Sequence, residues 1–402
     1  MVKTPVRSIV AAIADAAARW SDAGFGARLR ARDAVSARTG YSPTTVEYAF
    51  DRLFESLRAD AIEAIIADEL ESPEALDRFV SRAGRPRARA VPIGRVCVIS
   101  SRTTVGVAIV PAVFALCAKC DVLVKDREDH LVSAFFATLA RELPELRSSA
   151  VAMPWESAGE ALELDGFAAV VAFGDDATLA LIAARLPYSA RFIPYGSRAS
   201  AGYVTREALN EPSAAHEIAR RAATDLLLYE TEGCLSLHTL FVERGGAVSP
   251  QRFAEMLADA IPVCANELGA GRPDARRGAR LAMARDIAAF RAARGATLTD
   301  PGSTYLLLVD PEWDEPPAFI SRALPIRSVD EPAAAAAYFR RHGIGIEALA
   351  VADARRDVAD AALSMGAARI ARLGGLQAPA LGDFHGGRPR IAEFVRWVSD
   401  ET

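Results

Sequence analysis

The sequence predicts an α/β protein in which a parallel sheet follows a helical N-terminal region. Up to residue 90, apolar residues recur at helical spacing, as at Val46, Phe50 and Leu53. From residue 91 onward, short apolar strands alternate with helices, a pattern typical of parallel sheets. The length of 402 residues exceeds that of one ordinary hydrophobic core, so we expect two or three domains.

The helical region ends at a predicted boundary. An amphipathic helix starts the chain, a polar stretch with turns follows it as far as Gly40, and a second helical pattern spans residues 44–70. The segment SRAGRPRARAVP, residues 81–92, is rich in Arg, Gly and Pro. Because Gly and Pro interrupt regular structure, we expect this segment to separate two domains.

A first α/β layer follows the boundary. Its predicted strands lie at residues 95–100, 121–125, 168–173 and 191–195, and its predicted helices at 105–118, 132–143 and 177–186. Because strands and helices alternate, the strands are expected to run parallel.

The α/β pattern resumes after a long helix. Residues 213–230 are predicted to form that helix, which runs into Gly233 and Cys234. Further strands are expected at 239–242, 305–308, 325–329 and 345–351, and further helices at 250–268, 274–293, 333–341 and 355–365. The tail, GDFHGGRPRIAEFVRW, predicts a Gly-rich turn that leads into a short helix.

Charge and hydropathy exclude several classes of partner. With 47 Lys and Arg against 52 Asp and Glu, the net charge is −5, and no basic block with interleaved aromatic residues occurs, so we expect no nucleic-acid partner. The longest apolar run, Val105–Ala118, is too short to span a bilayer. The N-terminal segment reaches Asp15 after a short apolar stretch, which indicates an amphipathic helix and not a signal peptide. We therefore expect a cytoplasmic protein.

Common catalytic motifs are absent from the sequence. It has no P-loop, no GxGxxG after the first strand of the α/β region, no GxSxG and no HExxH. The five cysteines are odd in number and scattered, which argues against a disulfide framework. Cys117 and Cys120 have the spacing of a metal or redox pair, but they lack a second pair and end an apolar helix, so core packing explains them better. We expect no metal site.

Cys234 is the best candidate for covalent chemistry. It lies between a predicted helix and a predicted strand, in the sequence Glu232-Gly233-Cys234-Leu235-Ser236. Gly233 allows the backbone to approach a substrate carbonyl closely, and the Cys234 N–H is available to donate to an oxyanion. A cysteine taken alone is equally a small core residue.

The segment YETEGCLSLHTLFVE, residues 229–243, resembles the nucleophile segment of the LuxC-type acyl-CoA reductase family, a branch of the aldehyde dehydrogenase superfamily. The residues that fit the family pattern are Tyr229, Gly233, Cys234, Leu235, Ser236 and His238. The tail segment Phe384–Arg390, with Trp397, resembles the family's C-terminal signature. The resemblance covers about residues 91–402. It implies an aldehyde-dehydrogenase-like fold, with a parallel-sheet cofactor domain and an α/β catalytic domain.

The resemblance assigns roles to the residues of this segment. Cys234 is expected to be the nucleophile, with Gly233 beside it. His238 follows four residues later and is expected to tune the thiol, with a purely structural histidine as the alternative.

The same resemblance implies that the first α/β layer binds NAD(P). Lys125 ends the strand–helix–strand unit whose terminal lysine contacts the adenosine ribose, and a cation there also suits the 2′-phosphate of NADPH. Gly174 and Asp175 stand at the turn near the cofactor phosphates, and Gly196 and Ser197 in the loop beside the nicotinamide. The reductive direction favours NADPH, with NADH as the alternative. A lysine that only caps its strand is the structural alternative for Lys125.

These residues together predict the reduction of an acyl thioester to an aldehyde. That reaction needs a thiolate to take over the acyl group, an oxyanion site and a hydride donor, but no base that activates water. Aldehyde-oxidising members of the superfamily carry a glutamate in the loop after the strand equivalent to residues 191–195, and here the loop Pro194–Ser197 has no carboxylate. The acyl donor is expected to be acyl-CoA, or an acyl group delivered by a carrier or synthetase protein.

Two alternatives stay open at this point. One is an aldehyde dehydrogenase that works oxidatively, for which Glu230 and Glu232 are the carboxylates nearest to Cys234 in sequence. The other is a degenerate subunit that binds cofactor or acyl partner without catalysis. It is favoured because the loop Ser100–Thr104 lacks the Asn that usually helps to hold the oxyanion. A hydroxyl of that loop, or the Cys234 N–H, is the expected replacement.

The resemblance divides the chain into four functional ranges. They are a helical N-terminal region at residues 1–90, an NAD(P)-binding domain at 91–205, a catalytic domain at 206–372 and a C-terminal segment at 373–402. The N-terminal region is expected to pack on the cofactor domain or to serve an interface.

A homo-oligomer is also implied, in which Phe319–Val329 pairs between subunits. Arg102 and Arg127 are further candidates for phosphate contacts.

Overall fold

The computed structural model describes residues 3–154, 163–269, 271–272, 274–300, 304–310, 314–316 and 319–402. The chain forms two compact units. The first unit comprises Met1–Thr39, Val46–Ser197 and Ala380–Thr402, and the second comprises Gly40–Thr45 and Arg198–Pro379. The four functional ranges expected from the sequence stay a prediction, because they divide the chain by role and not by compactness.

Four helices and two strands precede the first α/β layer. They are α1 (Val6–Ser21), α2 (Gly26–Thr39), α3 (Pro43–Ser56), α4 (Ala59–Leu70), β1 (Val80–Arg82) and β2 (Arg85–Pro92). Helix α1 buries one apolar face that ends in Trp20, as its helical periodicity predicts. The Trp20 ring packs against Phe54 and Phe135, and its Nε1–H donates to Thr138 Oγ1 at 3.0 Å. The N-terminal helices therefore form part of the core of the first unit.

The first unit contains a five-stranded sheet in which all strands are parallel. Its elements are β3 (Arg95–Ile99), α5 (Ile109–Cys117), β4 (Asp121–Asp126), α6 (Leu131–Glu142), β5 (Ala150–Pro154), β6 (Ala169–Phe173), α7 (Asp176–Ala183) and β7 (Arg191–Tyr195). The strand order is β5-β4-β3-β6-β7. The carboxyl ends of β4, β6 and β7 therefore lie on the same side of the sheet, which is the side where open α/β sheets bind their ligands.

The second unit contains a seven-stranded sheet. Its elements are β8 (Ala199–Val204), α8 (Pro212–Leu227), β9 (Leu237–Glu243), α9 (Pro250–Leu268), α10 (Ala275–Ala292), β10 (Thr297–Thr299), β11 (Leu306–Val309), β12 (Ala323–Val329), α11 (Pro332–His342), β13 (Ile346–Val351), α12 (Arg356–Ser364) and β14 (Arg369–Arg372). The order is β10-β11-β12-β9-β8-β13-β14, and all pairs are parallel except β10 with β11. Helices α8 and α9 pack on one face of this sheet and α11 and α12 on the other.

The tail returns to the first unit as a strand. β15 (Val395–Asp400) pairs antiparallel with β2, which also pairs with β1. The Glu69 carboxylate of α4 fixes the preceding turn, because it accepts the N–H groups of Arg390, Ile391 and Ala392 at 2.6–2.9 Å. The tail does not form the expected helix beyond a short 3₁₀ turn, Ala392–Phe394.

Two other expectations about the fold were wrong. Residues 81–92 do not form an irregular boundary, because β2 finds its hydrogen-bonding partner in the distant tail. The polar stretch before Gly40 contains α2, which buries Arg28 beside Ala31 and Val35; Arg28 is held by ion pairs with Glu47 and Asp51. The pairing of Phe319–Val329 between subunits stays a prediction; within the chain, β12 lies between β11 and β9.

Candidate active site

The segment before Cys234 has an unusual backbone. Helix α8 ends at Leu227, earlier than expected, and three successive residues, Tyr229, Glu230 and Thr231, have positive φ of 58°, 52° and 62°. Left-handed backbone is unfavourable for non-glycine residues, above all for a β-branched one such as Thr231. Strain of this kind persists only where surrounding contacts enforce it, and it is concentrated at functional sites.

A buried ion pair enforces this conformation. The Glu230 carboxylate pairs with Arg322, and it also accepts the Gly271 N–H at 3.1 Å. The Ser321 hydroxyl donates to the Glu230 carbonyl at 2.8 Å, and the Arg322 N–H donates to Thr231 Oγ1 at 3.2 Å. The chain that precedes β12 therefore clamps the segment that leads to Cys234.

Cys234 is half-buried as a residue, although its sulfur is enclosed, whereas the other four cysteines are buried. Its own N–H and that of Leu235 approach the sulfur and lower the pKa of the thiol, and the Arg198 charge acts in the same direction. Burial of the sulfur outweighs these effects and, together with the charge of Glu347, raises the thiol pKa to about 12. The Cys234 side chain is therefore a protonated thiol at neutral pH, and two backbone N–H groups face it.

Gly233 and Ser236 close the turn that presents Cys234. The Gly233 N–H donates to Ser236 Oγ at 3.1 Å, and the Ser236 N–H donates to the Gly233 carbonyl at 2.9 Å. The Gln377 amide donates to the same Ser236 Oγ at 3.0 Å. The turn uses the N–H of Gly233 internally and leaves those of Cys234 and Leu235 directed towards the sulfur.

Ser200 links the strands around this turn. Its hydroxyl donates to the Cys234 carbonyl at 2.7 Å, and its N–H donates to His238 Nδ1 at 3.2 Å. The pairing of β8 with β9 skips His238, and the pairing of β8 with β13 skips Glu347. Two bulges therefore flank Ser200, one on each neighbouring strand, and bulges of this kind re-aim side chains beside active sites.

His238 is buried and neutral. Burial lowers its pKa to about 4, although backbone hydrogen bonds with Ser200 and Thr231 oppose this shift. The imidazole is therefore uncharged at neutral pH and engaged on both sides with the backbone. This arrangement fits a residue that holds the turn in place and does not fit a proton carrier.

Glu347 was not identified from the sequence. Its side chain is buried, lies 3.7 Å from Arg198 in an ion pair, and acts on the Cys234 thiol. The two carboxylates considered from sequence have other partners: Glu230 pairs with Arg322, and Glu232 with Arg277 at 3.1 Å. Glu347 was missed because it lies far from Cys234 along the chain. The strand order β9-β8-β13 brings the two residues together in the fold.

The residues expected to bind the cofactor lie in the first unit. Lys125 stands near the carboxyl end of β4, and its carbonyl accepts from both the N–H and the hydroxyl of Ser100, the residue that follows β3. The Arg127 N–H donates to the same Ser100 hydroxyl at 2.8 Å. The loops that follow β3 and β4 are thereby joined at the carboxyl ends of these strands.

A group of three arginines surrounds these loops. Burial lowers the pKa of Arg127, and the charges of Arg102 and Arg38 lower it further, so the three guanidinium groups lie close together. Arg38 also pairs with Asp129 and donates to the Arg102 carbonyl at 3.0 Å. Like charges held together in this way create a site for an anion.

Gly174, Asp175, Gly196 and Ser197 shape the adjacent edge. Asp175 caps helix α7 by accepting the Thr178 N–H at 2.7 Å, and the Ser197 N–H donates to Asp176 at 2.9 Å. A Cβ on Gly196 would lie 2.5 Å from Asp176 Oδ1, so a larger residue there would displace the Asp176 carboxylate that accepts the Ser197 N–H. The two aspartates make this helix start unsuitable for a phosphate and suitable for a donor such as a ribose hydroxyl.

Aromatic rings cover the ends of β6 and β7. Phe173 stacks on Tyr195 at 4.8 Å between ring centroids, and the tail residue His385 stacks on Tyr195 at 4.1 Å. Gly386 and Gly387 have positive φ, which lets the tail turn sharply beside these rings. The tail thus adds the His385 side chain to the rings at the carboxyl ends of β6 and β7.

The remaining cysteines lie in the core. Burial raises the pKa of the Cys117 thiol to about 12 and that of Cys120 to about 11, and Cys120 Sγ lies 3.4 Å from the Phe394 carbonyl. Among the residues that the structure describes, no group of three or more His, Cys, Asp or Glu side chains is arranged to hold a metal ion. No helix in the described part of the chain has the length and hydropathy needed to cross a membrane.

The fold is similar to solved structures of oxidoreductases. An oxidoreductase from Marinobacter aquaeolei superposes with a TM-score of 0.72 at 13% identity, over 100% of this chain and 87% of that chain. An NAD-dependent benzaldehyde dehydrogenase from Corynebacterium glutamicum gives 0.67 at 16% identity, over 99% and 86%. A glyceraldehyde-3-phosphate dehydrogenase from Methanocaldococcus jannaschii, solved with NADP, gives 0.70 at 12%, over 100% and 90%. The expected aldehyde-dehydrogenase-like α/β fold is therefore confirmed.

A sequence comparison with curated proteins finds no match. A family model does match: the family described as acyl-CoA reductase (LuxC) covers residues 1–397, which is nearly the whole chain and includes the N-terminal helices. The resemblance expected from residue 91 onward is confirmed and extends to the N-terminus. The protein has an aldehyde-dehydrogenase-like fold, and it belongs to the LuxC acyl-CoA reductase family.

Proposed function

We propose that the protein reduces an acyl thioester to an aldehyde with NADPH, through a thioester on Cys234. The observation that carries this proposal is the environment of the thiol. Cys234 is the one cysteine that is only half-buried, and two backbone N–H groups face its sulfur from the turn that Gly233 and Ser236 close. Membership of the family supports an acyl substrate.

The first step is an exchange of thioesters. Cys234 Sγ attacks the carbonyl carbon of the donor, a new S–C bond forms, and the donor's own C–S bond breaks. The thiol proton of Cys234 leaves with the donor sulfur, so the donor departs as a thiol and no electrons are gained or lost. NADPH, when bound, would supply the hydride for the enzyme-bound acyl group. Release of the aldehyde breaks the bond between Cys234 Sγ and the acyl carbon, and the thiolate left on Cys234 takes up a proton from solvent, which restores the thiol.

Backbone groups take the place of the absent Asn. During attack the carbonyl oxygen becomes negative, and preorganised N–H donors stabilise such an oxyanion. The N–H groups of Cys234 and Leu235 are directed towards the sulfur, whereas that of Gly233 is used inside the turn. We therefore assign oxyanion stabilisation to Cys234 and Leu235, the supporting role to Gly233, and the positioning of the turn to His238 and Ser200.

The chemistry of the first unit fits a phosphorylated dinucleotide. Lys125, Arg102 and Arg127 would hold the 2′-phosphate of NADPH, because guanidinium groups bind phosphate through charge-assisted hydrogen bonds. NADH lacks that phosphate and is the weaker alternative. Asp175 would face hydroxyl groups, and Gly174, Gly196 and Ser197 would keep the sheet edge open to the cofactor.

The oxidation of an aldehyde is a second candidate, because of Glu347. A buried carboxylate that acts on the thiol is also placed to activate water, which oxidation requires and thioester reduction does not.

A non-catalytic subunit that only binds acyl groups and cofactor is the third alternative. Acyl-CoA is the simplest donor, and a carrier or synthetase protein is the alternative.

One experiment separates these functions. NADPH consumption is followed with acyl-CoA esters of increasing chain length, and aldehyde is followed with NADP⁺ in the absence of CoA, for wild type and Cys234→Ala. We expect reduction of acyl-CoA that the substitution abolishes. Oxidation of aldehyde without reduction of acyl-CoA would establish the oxidative alternative, and no turnover in either direction would establish the non-catalytic one.

A further inference from the structure

Two charged side chains of the second unit hold the loop that follows β14, residues 374–378, which we call the β14 loop. Asp225, near the end of α8, accepts the Gly374 N–H at 2.6 Å on one carboxylate oxygen and the Leu376 N–H at 3.0 Å on the other. Arg369 of β14 donates to the Leu376 carbonyl at 2.8 Å and to the carbonyl of the residue before it at 2.6 Å. A carboxylate therefore binds the N–H groups of this loop, and a guanidinium group binds its carbonyls.

Asp225 is fully buried, and its charge has a cost. Burial raises its pKa to about 7, although its two N–H partners and the charge of Arg369 oppose this shift. Burying a carboxylate is unfavourable unless hydrogen bonds compensate for the lost water. The two N–H groups supply that compensation in one conformation of the β14 loop, so the buried carboxylate specifies this conformation.

Gly374 lets the β14 loop come close to α8. Its φ is 85°, in the left-handed region that favours glycine. A Cβ at this position would lie 3.1 Å from the Arg221 side chain and 3.5 Å from the Arg221 backbone. Arg221 and Asp225 are separated by one helical turn and share a face of α8. The close approach therefore brings the backbone of the loop onto the Asp225 carboxylate.

Gln377 connects the β14 loop to the turn that presents Cys234. Its side chain is buried, and its amide donates to Ser236 Oγ at 3.0 Å. The same oxygen accepts the Gly233 N–H at 3.1 Å. Because Cys234 lies between Gly233 and Ser236, the position of the Gln377 amide constrains the turn on which the thiol stands.

We propose that Asp225 is a positioning residue for Cys234, which acts by holding the β14 loop so that Gln377 fixes the Ser236 hydroxyl. The proposal rests on the proposed function and adds a residue on which that function depends. The N–H groups of Cys234 and Leu235 are directed towards the sulfur in this arrangement. A turn that loses its contact with the loop also loses the alignment that attack on a thioester requires.

Amide hydrogen exchange of the full-length protein, followed by mass spectrometry, tests this link without requiring catalysis. In Asp225→Asn an amide nitrogen replaces one oxygen, and because it cannot accept, one of the two loop N–H groups loses its acceptor. We expect exchange to become about tenfold faster or more in the β14 loop and also in residues 232–236. Gln377→Leu should have this effect on residues 232–236 alone, because the loop keeps its bonds to Asp225.

Reduction of acyl-CoA gives a second measurement. Asp225→Asn and Gln377→Leu should each lower kcat about tenfold or more and change KM less than about twofold, because the turn and not the binding of substrate is affected. The double variant should lose little more than the more damaging single variant, because both substitutions act through Ser236. Asp259→Asn makes the same chemical change at an exposed position of the neighbouring helix α9 and should equal the wild type in both measurements.

The outcomes separate failure of the positioning role from failure of the proposed function. Unchanged exchange in residues 232–236 of both variants would overturn the positioning role, and so would faster exchange throughout the protein with kcat retained. In both cases acyl-CoA reduction by the wild type would leave the reductase intact. The expected local exchange, without reduction of any acyl-CoA by the wild type, would support the link to the Cys234 turn and overturn the reductase.

Gln377→Leu keeps the test decisive if Asp225→Asn does not fold. Exchange in residues 232–236 and a kcat that both equal those of the wild type would break the link between the β14 loop and the turn, and would overturn the proposal. Faster exchange confined to these residues, with a lowered kcat, would support it.

Discussion

The negative charge of the Glu347 carboxylate raises the pKa of the Cys234 thiol. A thiol reacts as its thiolate, and Glu347 is one cause of the raised pKa of this thiol. Glu347→Gln removes a negative charge, so the pKa of the thiol should fall and alkylation by iodoacetamide at pH 8 should become severalfold faster. Labelling reports on Cys234 because the other four cysteines are buried.

The pH dependence of alkylation shows whether Glu347 raises or lowers the pKa of the Cys234 thiol. For the wild type the rate should still rise at pH 9, whereas for Glu347→Gln the whole profile should shift to lower pH. Glu331→Gln, a change at an exposed position at the start of α11, is the control and should leave the profile unchanged. Slower alkylation of Glu347→Gln would show that the carboxylate acts as a base for the thiol and not as a repelling charge.

Arg127 and Arg102 determine the choice of cofactor if their charges bind the 2′-phosphate. Arg127→Ala should weaken NADPH binding by about tenfold or more, since hydrogen bonds between charged groups contribute about 1.5–3 kcal/mol, and should leave NADH binding unchanged. Fluorescence titration of both cofactors measures the effect. The exposed Arg141→Ala is the control. An equal loss for both cofactors would place Arg127 elsewhere than at the 2′-phosphate.

At the level of single residues, the sequence predicts candidate site residues that lie in a recognisable local motif. Cys234 was recognised from Gly233, Leu235 and Ser236. Glu347 could not be, because it lies more than one hundred positions away and reaches the thiol through a bulge and two strand pairings.

Among the elements, the left-handed segment before Cys234 depends most on tertiary contacts. Glu230→Gln breaks the buried pair with Arg322 and leaves a buried charge without its partner, so the free energy of unfolding should fall by about 3–5 kcal/mol. Urea denaturation measures this change. Glu255→Gln removes an exposed pair with Arg252 and should cost less than about 1 kcal/mol. Equal effects of the two substitutions would refute the clamp.

Strand β9 ends in a buried carboxylate that makes stability depend on pH. Glu243 accepts hydrogen bonds from Tyr203, Arg206 and Arg355, and these outweigh burial and lower its pKa from 4.5 to about 2. Because the pKa is lowered on folding, the stabilisation is complete above the unfolded value and is lost as the pH falls from about 4.5 to 2. It amounts to about 3 kcal/mol.

Glu243→Gln should therefore destabilise the protein at pH 7 and flatten the decline of stability between pH 5 and 2. Thermal unfolding across this range, compared with the wild type, measures both effects. A decline of unchanged steepness would show that other carboxylates control acid unfolding.

The pattern of elements was largely predictable where periodicity is local. The strands and helices that the sequence predicts in both sheets appear in the expected order, because buried strands are apolar in sequence. Strands β5, β8, β10 and β14 of these sheets were missed, and so were β1, β2 and β15. Strands β2 and β15 pair with each other from distant parts of the chain, whereas β1 pairs with the adjacent β2. Helix α2 was missed because its sequence is polar and an arginine is among its buried residues.

For the molecule as a whole, the expected homo-oligomer remains a prediction. Light scattering should give a mass that is a multiple of 42.8 kDa. A mass of 42.8 kDa at micromolar concentration would contradict it. The sequence did not predict that residues Ala380–Thr402 belong to the first unit. Their place there depends on contacts with Glu69 and on the pairing of β15 with β2.

The covalent step on Cys234 is the part of the proposal that one measurement tests most directly. The protein is mixed with an acyl-CoA in the absence of NADPH, and intact-mass spectrometry with peptide mapping follows the label. We predict a mass increase equal to one acyl group on Cys234, absent in Cys234→Ala, that NADPH removes in a single turnover with one equivalent of aldehyde. Aldehyde formed by Cys234→Ala, or an acyl group that NADPH does not release, would contradict reduction through a Cys234 thioester.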